Sequence, residues 1–266
     1  MVRNITIGQY FPTESKIHSL DARTKIIASL AYIVALFVLH TFMGFVFATV
    51  VLGIVIAMSK VPFSFIVRGL KPVVIIIIFT FALNLFMYPG EALVRLGPLT
   101  ITDVGLYKAL FLGFRLILLI IGSSMLTLTT RPISLTDGLE SLMKPFSKIG
   151  VPAHELAMMM TIALRFIPTL IDETDKIMKA QQARGADFET GNIMHRAKAL
   201  IPILVPLFIS AFRIAQDMAM AMEARCYHGG SQRTRMEPMK YGKNDAVAFV
   251  LLILFMGACV LERIFL

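Results

Sequence analysis

Apolar positions in this chain fall into long blocks separated by short polar breaks. The first block runs from Ile26 to Met58. It is too long for one membrane crossing, which takes ~20 residues at ~1.5 Å rise each. The stretch Leu39 to Gly44, reading LHTFMG, interrupts it, so the pattern predicts two helices joined by a tight hairpin. A third span is expected at roughly Val73 to Tyr88, followed by a turn-rich loop, PGEALVRLGPLTITDVG. A fourth is expected at roughly Leu106 to Thr130 and a last, short one at Ala246 to Val260.

Between Arg131 and Lys243 the pattern changes. Charged residues are dense there, and apolar runs such as LAMMMTIAL and ALIPILVPLFISAF recur with helical periodicity. This predicts long amphipathic helices, not further lipid-facing spans. Thr136-Asp137 with Glu140 reads as one helix start, and Ser141 to Lys148 carries that helix on to Gly150. A second helix opens near Pro152, is interrupted and kinked at Pro168, and ends at a left-handed cap on Gly185. A third carries Pro202 and Pro206 near its start and ends before Gly229-Gly230. The expected fold is an all-α membrane protein with about five transmembrane helices plus long amphipathic helices on the cytoplasmic side. Its parts are residues 1–130 with four spans, residues 131–243, and a terminal transmembrane helix in residues 244–266.

Composition agrees with a membrane protein: 57% of residues are hydrophobic and 16% charged, against about 25% charged in soluble domains. The net charge of +9 reads as basic cytoplasmic loops and not as a nucleic-acid footprint. Arg3, Lys16, Arg23 and Lys25 precede span one, Lys60, Arg68 and Lys71 follow span two, and the 131–243 block follows span four. Five spans put all three groups on one side and leave His40-Thr41, the Glu91/Arg95/Asp103 loop and Glu262-Arg263 on the other. The N-terminus is then cytoplasmic and the C-terminus extracellular, in a multi-pass protein of the cell membrane. The polar N-terminal stretch predicts no cleavable signal peptide. Cys226 and Cys259 form no framework.

Several chemistries lack their residues. No Asp or Glu lies between Asp21 and Glu91, nor inside the last span, which argues against a carrier driven by its own proton or sodium site. Gly242-Lys243 has no glycine-rich lead, so no P-loop is expected. His154-Glu155 opens an H-E-x-x-H pattern that Met158 fails to complete, so neither a catalytic site nor a metal or cofactor is expected. Ser123-Ser124 has no nearby His or Asp and suits helix packing. Arg115 is a cation in the middle of the fourth span, expected to snorkel or pair within the bundle, or else to contact a membrane partner.

Two arginines repeat a setting: Ala-x-x-Ala-Arg occurs at Ala180 to Arg184 and again at Ala221 to Arg225. Each closes a long helix. A helix C-terminus favours a cation by ~0.3–1 kcal/mol, so the arginines could simply compensate the dipole. A guanidinium at a helix tip can equally dock on a partner's carboxylate. The clusters Met158-Met159-Met160 and Met218/Met220/Met222 are either core filling or an adaptable contact surface.

The run LTDGLESLMKPF…VPAHELAMMMTIALRFIPTLIDETDKIMKAQQARG, with the later EARCY, resembles the transmembrane T component of energy-coupling factor transporters, which are ABC-type importers. The most specific part is Arg165 to Pro168 leading into Ala-x-x-Ala-Arg-Gly, and the resemblance covers nearly the whole chain. It implies a non-catalytic subunit that joins two cytoplasmic ATPases, a heterodimer, to a membrane-embedded S component that captures a vitamin or a metal ion. It implies ATPase docking by Ala183-Arg184-Gly185 and by Ala224-Arg225-Cys226, where Cys226 departs from the family's glycine. It makes Arg165, Pro168, Pro202 and Pro206 candidates for shaping the coupling helices, and the two methionine clusters candidates for the S-component contact. A conventional ABC permease, a self-contained membrane carrier and an intramembrane enzyme using His154 and Glu155 are the rival readings. The permease would couple through short loop helices, and the carrier would transport without ATPases.

Overall fold

The computed structural model describes residues 10–89, 91–96, 99–150, 152–186, 188, 193–227, 229 and 239–265. The expectations placed on Arg3 and Gly230 lie outside the described residues, as does the Arg95 side chain. The described chain is nearly all helix: α1 (Ala22–Val38), α2 (Phe42–Ser59), α3 (Phe63–Leu70), α4 (Val74–Met87), α5 (Asp103–Thr129), α6 (Pro132–Met143), α7 (Ala153–Ala183), α8 (Ile193–Ala224) and α9 (Lys243–Phe265). Two strands, β1 (Ala92–Leu96) and β2 (Leu99–Thr102), pair antiparallel between α4 and α5. That hairpin stands where a turn-rich loop was expected.

Six segments are long and apolar enough to cross a membrane: α2, Phe63–Met87, α5, α7, Leu200–Ala224 of α8, and α9. The set differs from the five expected spans in three ways. Helix α1 has only 17 residues, about 26 Å, at the short limit for a crossing, and is not among the six. The third span starts earlier, at Phe63, because α3 leads through a 3-10 turn at Lys71–Val73 into α4. Helices α7 and α8 qualify because each gathers its charges in part of its length and leaves an apolar window elsewhere. The break between α1 and α2 is as the sequence predicts: Leu39 ends the first helix, and the Thr41 side chain caps the second by accepting from the Gly44 N–H.

The chain divides into two compact units, one of Gly8–Ser141 with Met239–Leu266, the other containing Leu142–Pro238. In the first, α5 is the central column: α1, α2, α3 and α4 all pack on it, and α9 packs on α1. Leu36, Leu39, Phe45, Ile66 and Leu128 are almost fully buried in this core. Gly122 lets α1 and α5 approach, since a Cβ there would lie 2.5 Å from the Tyr32 ring. Helix α6 begins at Pro132, a full turn before the expected start. Proline at the first position lacks only an N–H that has no helical partner, and Thr136, expected to cap, is buried and bonds back to the Ile133 carbonyl.

Arg115 is neutralised inside this unit. Its guanidinium donates to the Leu39 carbonyl at 3.0 Å, and its Cζ lies 5.0 Å from the Phe111 ring centre, 5.5 Å from Phe37 and 5.7 Å from Phe45. The ring faces supply negative potential where no carboxylate stands.

The polar ends of α1, α5 and α9 are joined by a network the sequence does not announce. Asp21 caps α1 by accepting from the Arg23 N–H at 2.9 Å and forms an ion pair with the Arg23 guanidinium at 2.8 Å. The Asp21 N–H donates to buried Asp245, which also caps its own helix through the Gly242 N–H at 2.8 Å. Arg23 lies 3.9 Å from the centre of the Tyr241 ring. Burial works to raise the Asp21 carboxyl, but the side-chain and backbone bonds from Arg23 and the nearby charge of Lys25 outweigh it and hold the group below its ordinary value. A carboxyl lowered on folding stabilises above its unfolded value and loses that contribution as pH falls through the folded value. Asp21→Asn, which keeps the cap acceptor, is expected to lower stability at pH 7 by about 1–3 kcal/mol. It should also flatten the loss of stability below about pH 4. Thermal unfolding of the purified chain in detergent between pH 2 and 7 measures both.

Candidate functional site

The second unit is built on α7 and α8. Helix α7 starts after Pro152, whose carbonyl accepts from the Leu156 N–H at 3.0 Å, and runs without a break through Pro168 to Ala183. The interruption expected at Pro168 is therefore absent. The proline costs its own turn one N–H, and the turns on either side continue the helix. Pro202 and Pro206 likewise lie inside α8, which begins earlier than expected, at Ile193.

The two arginine ends are alike bond for bond. In α7 the Arg184 N–H donates to Gln181 O (3.1 Å), the Gly185 N–H to Gln182 O (3.0 Å) and the Ala186 N–H to Gln181 O (3.0 Å). In α8 the Arg225 N–H donates to Met222 O (3.1 Å), the Cys226 N–H to Glu223 O (2.8 Å) and the Tyr227 N–H to Met222 O (3.1 Å). Both are Schellman endings, in which the residue after the cap turns left-handed and the following N–H groups close the last carbonyls. Gly185 holds that position at φ +88° and Cys226 at φ +55°. The cysteine sits in the left-handed well that L residues can reach, about +57°, at some steric cost.

Backbone N–H groups meet the Gln181 and Gln182 carbonyls of α7 and the Met222 and Glu223 carbonyls of α8, so neither guanidinium is needed to satisfy those four. Arg184 and Arg225 are both exposed. What the positions offer is a planar cation with five donors standing beyond a rigid helix end.

The two tips point apart. Helices α7 and α8 pack together, and the Tyr227 hydroxyl donates to the Met158 sulfur at 3.0 Å, which places the end of α8 beside the beginning of α7. From Met158 to Arg184 is a rise of about 40 Å along α7. The Ala-Arg motifs therefore occupy opposite ends of one antiparallel pair. Tyr227 had no signal in the sequence, because its partner is fixed only by the antiparallel arrangement.

The other predicted residues distribute along the same pair. Arg165 is exposed on α7. Met159, Met160 and Met220 are 58%, 43% and 61% exposed, so core filling within this chain does not account for them. Met158, Met218 and Met222 are half-buried. Among the described residues no three His, Cys, Asp or Glu side chains are grouped to hold a metal ion.

Because the two caps differ at one atom set, they should respond differently to substitution. Gly185→Ala is expected to cost about 1–2 kcal/mol, seen as faster amide hydrogen exchange in the last turn of α7. Cys226→Gly should leave exchange in the last turn of α8 unchanged or slowed, whereas Cys226→Val should accelerate it.

Residues 13–236 match the family model CbiQ, described as cobalt transport protein. The chain is 59% identical over 249 residues to the energy-coupling factor transporter transmembrane protein EcfT of Thermosediminibacter oceani, covering 94% of each. It is 56% identical over 266 residues to the protein of that name from Clostridium kluyveri, covering 99% of this chain and 98% of the relative. It is 43% identical over 256 residues to that of Bacillus subtilis, covering 96% and 97%. With its apolar helices, this likeness over almost the full length identifies a multi-pass membrane protein of the CbiQ family, the transmembrane component of an energy-coupling factor transporter.

Proposed function

We propose that this chain is the coupling scaffold of an ATP-driven importer and performs no covalent chemistry itself. Two ATPase subunits dock on it, one at Ala183-Arg184-Gly185 and one at Ala224-Arg225-Cys226. The observation that carries the reading is the pair of matched, backbone-capped tips with exposed arginines at opposite ends of one helical pair. A separation of about 40 Å exceeds the ~30 Å diameter of a small domain, so the tips suit two partners better than one. Cys226 in place of glycine fits a second ATPase that differs from the first.

In this reading α7 and α8 are the coupling helices of a cytoplasmic-side region, residues 131–243, while the N-terminus is cytoplasmic and the C-terminus extracellular. Both helices carry charges within their length, such as Arg165, Asp172 and Lys176 on α7 and Arg213 and Asp217 on α8, which supports an interfacial and not a lipid-buried placement. ATP binding closes the ATPases and moves the tips. Arg165 and the prolines 168, 202 and 206 set how the helices bend under that load. The exposed methionines present a soft apolar surface to a membrane-embedded S component, which captures the cargo, a vitamin or other micronutrient.

A buried arginine fork acts as an interface hot spot worth about 2 kcal/mol or more. Arg184→Ala or Arg225→Ala alone is therefore expected to weaken ATPase association about thirtyfold, and the double substitution to abolish ATP-dependent uptake. Co-purification with the ATPases and uptake into proteoliposomes measure the two effects. Recovery of an intact, active complex from the double variant would defeat the reading.

A further inference from the structure

A cavity of ≈ 420 Å³ opens where the polar ends of α1 and α5 meet the start of α6, away from both arginine tips in the sequence. Its lining includes Lys25, Thr130, Arg131 and Ser134. Lys25 is only 8% exposed, and its ammonium donates to the His18 and Thr129 carbonyls, each at 3.0 Å. An ammonium has three N–H donors, so one remains for a ligand. Thr130 is 5% exposed, and its hydroxyl has no partner among the described residues. Arg131, exposed, immediately precedes α6 and lies with its Cζ 5.7 Å from the Tyr10 ring centre. The α6 N-terminus adds backbone N–H groups with no helical acceptor and a partial positive charge. Every one of these features donates hydrogen bonds or carries positive potential. The opposing groups are His18, whose ring is occupied by the Phe11 carbonyl and the Ser15 hydroxyl, Glu14, which is exposed, and the Asp21 and Asp245 carboxylates, whose negative charges reach Lys25.

We propose that this cavity binds a phosphoryl group, either the phosphodiester of an anionic lipid headgroup or free inorganic phosphate. Its location favours such a ligand. Thr129 is the last residue of a membrane-length helix, and Lys25 stands one turn into α1, so the cavity lies at the level where headgroup phosphates meet water. Lys25 and Arg131 supply the charge, Thr130 and Ser134 the neutral donors, and the first turn of α6 the backbone donors. A built site of this kind ties the N-terminal segment, α1, α5 and α6 through one ligand.

The test uses the purified full-length chain in detergent. Native mass spectrometry and thermal unfolding are followed with dioleoyl phosphatidylglycerol, with dioleoylglycerol, which has the same tails and no phosphate, and with inorganic phosphate alone. Wild type is expected to retain phosphatidylglycerol or phosphate and to be stabilised by it, with no response to dioleoylglycerol. A response to phosphatidylglycerol without one to phosphate assigns the lipid as the source, and a response to phosphate assigns the free ion. Arg131→Gln and Thr130→Val should each weaken that response about tenfold, the loss of one good donor to a charged acceptor. Because Arg131 is exposed, its variant should unfold like wild type without ligand. Ser134→Ala is the second variant should Thr130→Val fail to fold. Equal binding of phosphatidylglycerol and dioleoylglycerol, no binding of either phosphate source, or unchanged affinity in Arg131→Gln would overturn the proposal.

Discussion

The last carbonyls of a helix have no partner within the helix, and how each helix end in this chain meets that demand determines what its cations are free to do. At the end of α1 the Leu39 carbonyl is taken by the Arg115 guanidinium, reaching from the middle of α5. At the end of α5 the Thr129 carbonyl is taken by the Lys25 ammonium, reaching from the start of α1. In both cases a cation that would be costly among apolar residues is committed to a carbonyl, and the two elements are locked together by the same bond. At the ends of α7 and α8 the opposite solution holds. The backbone folds back on itself through a left-handed residue and closes two of the last carbonyls of each helix, and an arginine stands exposed at each end. Arg115 and Lys25 are each committed to a helix end, and the arginines at the α7 and α8 tips are not. That contrast is what makes the tip arginines candidates for an intermolecular role, where their mere position near a negative helix terminus would not.

Much of this was legible in the sequence because it is local. The polar break at Leu39–Gly44, the cap at Gly185 and the length of the α5 block depend on residues within one or two turns of each other, and each came out as the pattern predicts. The repeat of Ala-x-x-Ala-Arg was visible, and so was the departure at Cys226. What the letters could not give was that Cys226 occupies the same left-handed position as Gly185, since cysteine carries no propensity for it. The break expected at Pro168 is absent for a related reason: a proline's local penalty is definite, but whether a helix ends there depends on the stability of the turns on both sides. The start of α6 was placed at Thr136 because its side chain is a good cap, yet Pro132 and the packing of Gly138 against Ala22 and Ile26 extend the helix toward α5.

The remainder was hidden because it is non-local. Asp21 and Asp245 stand at opposite ends of the chain and meet only because α9 packs on α1. Tyr227 and Met158 meet only because α7 and α8 run antiparallel. The short β1–β2 hairpin is a milder case: LTIT alternates apolar and polar positions, but ALVRL opens on three consecutive apolar residues, which left the strand signal incomplete.

The α7–α8 unit differs from the first in what it leaves uncovered. Ala153, Ala157 and Ile203 are its buried apolar residues among those described, while Phe208, Phe212, Ile201 and Val205 remain more than half exposed. Apolar surface on that scale has no place in water, and lipid and partner proteins are the two surroundings that can cover it. Lipid can take the apolar middle of α8, from Leu200 to Phe212, but those 13 residues span only about 20 Å, and Arg213 and Asp217 follow directly. The longer segment Leu200–Ala224, with those charges inside it, is still long and apolar enough to cross a membrane. An uncovered apolar side and an exposed arginine at the end of each helix are what this pair presents to its surroundings.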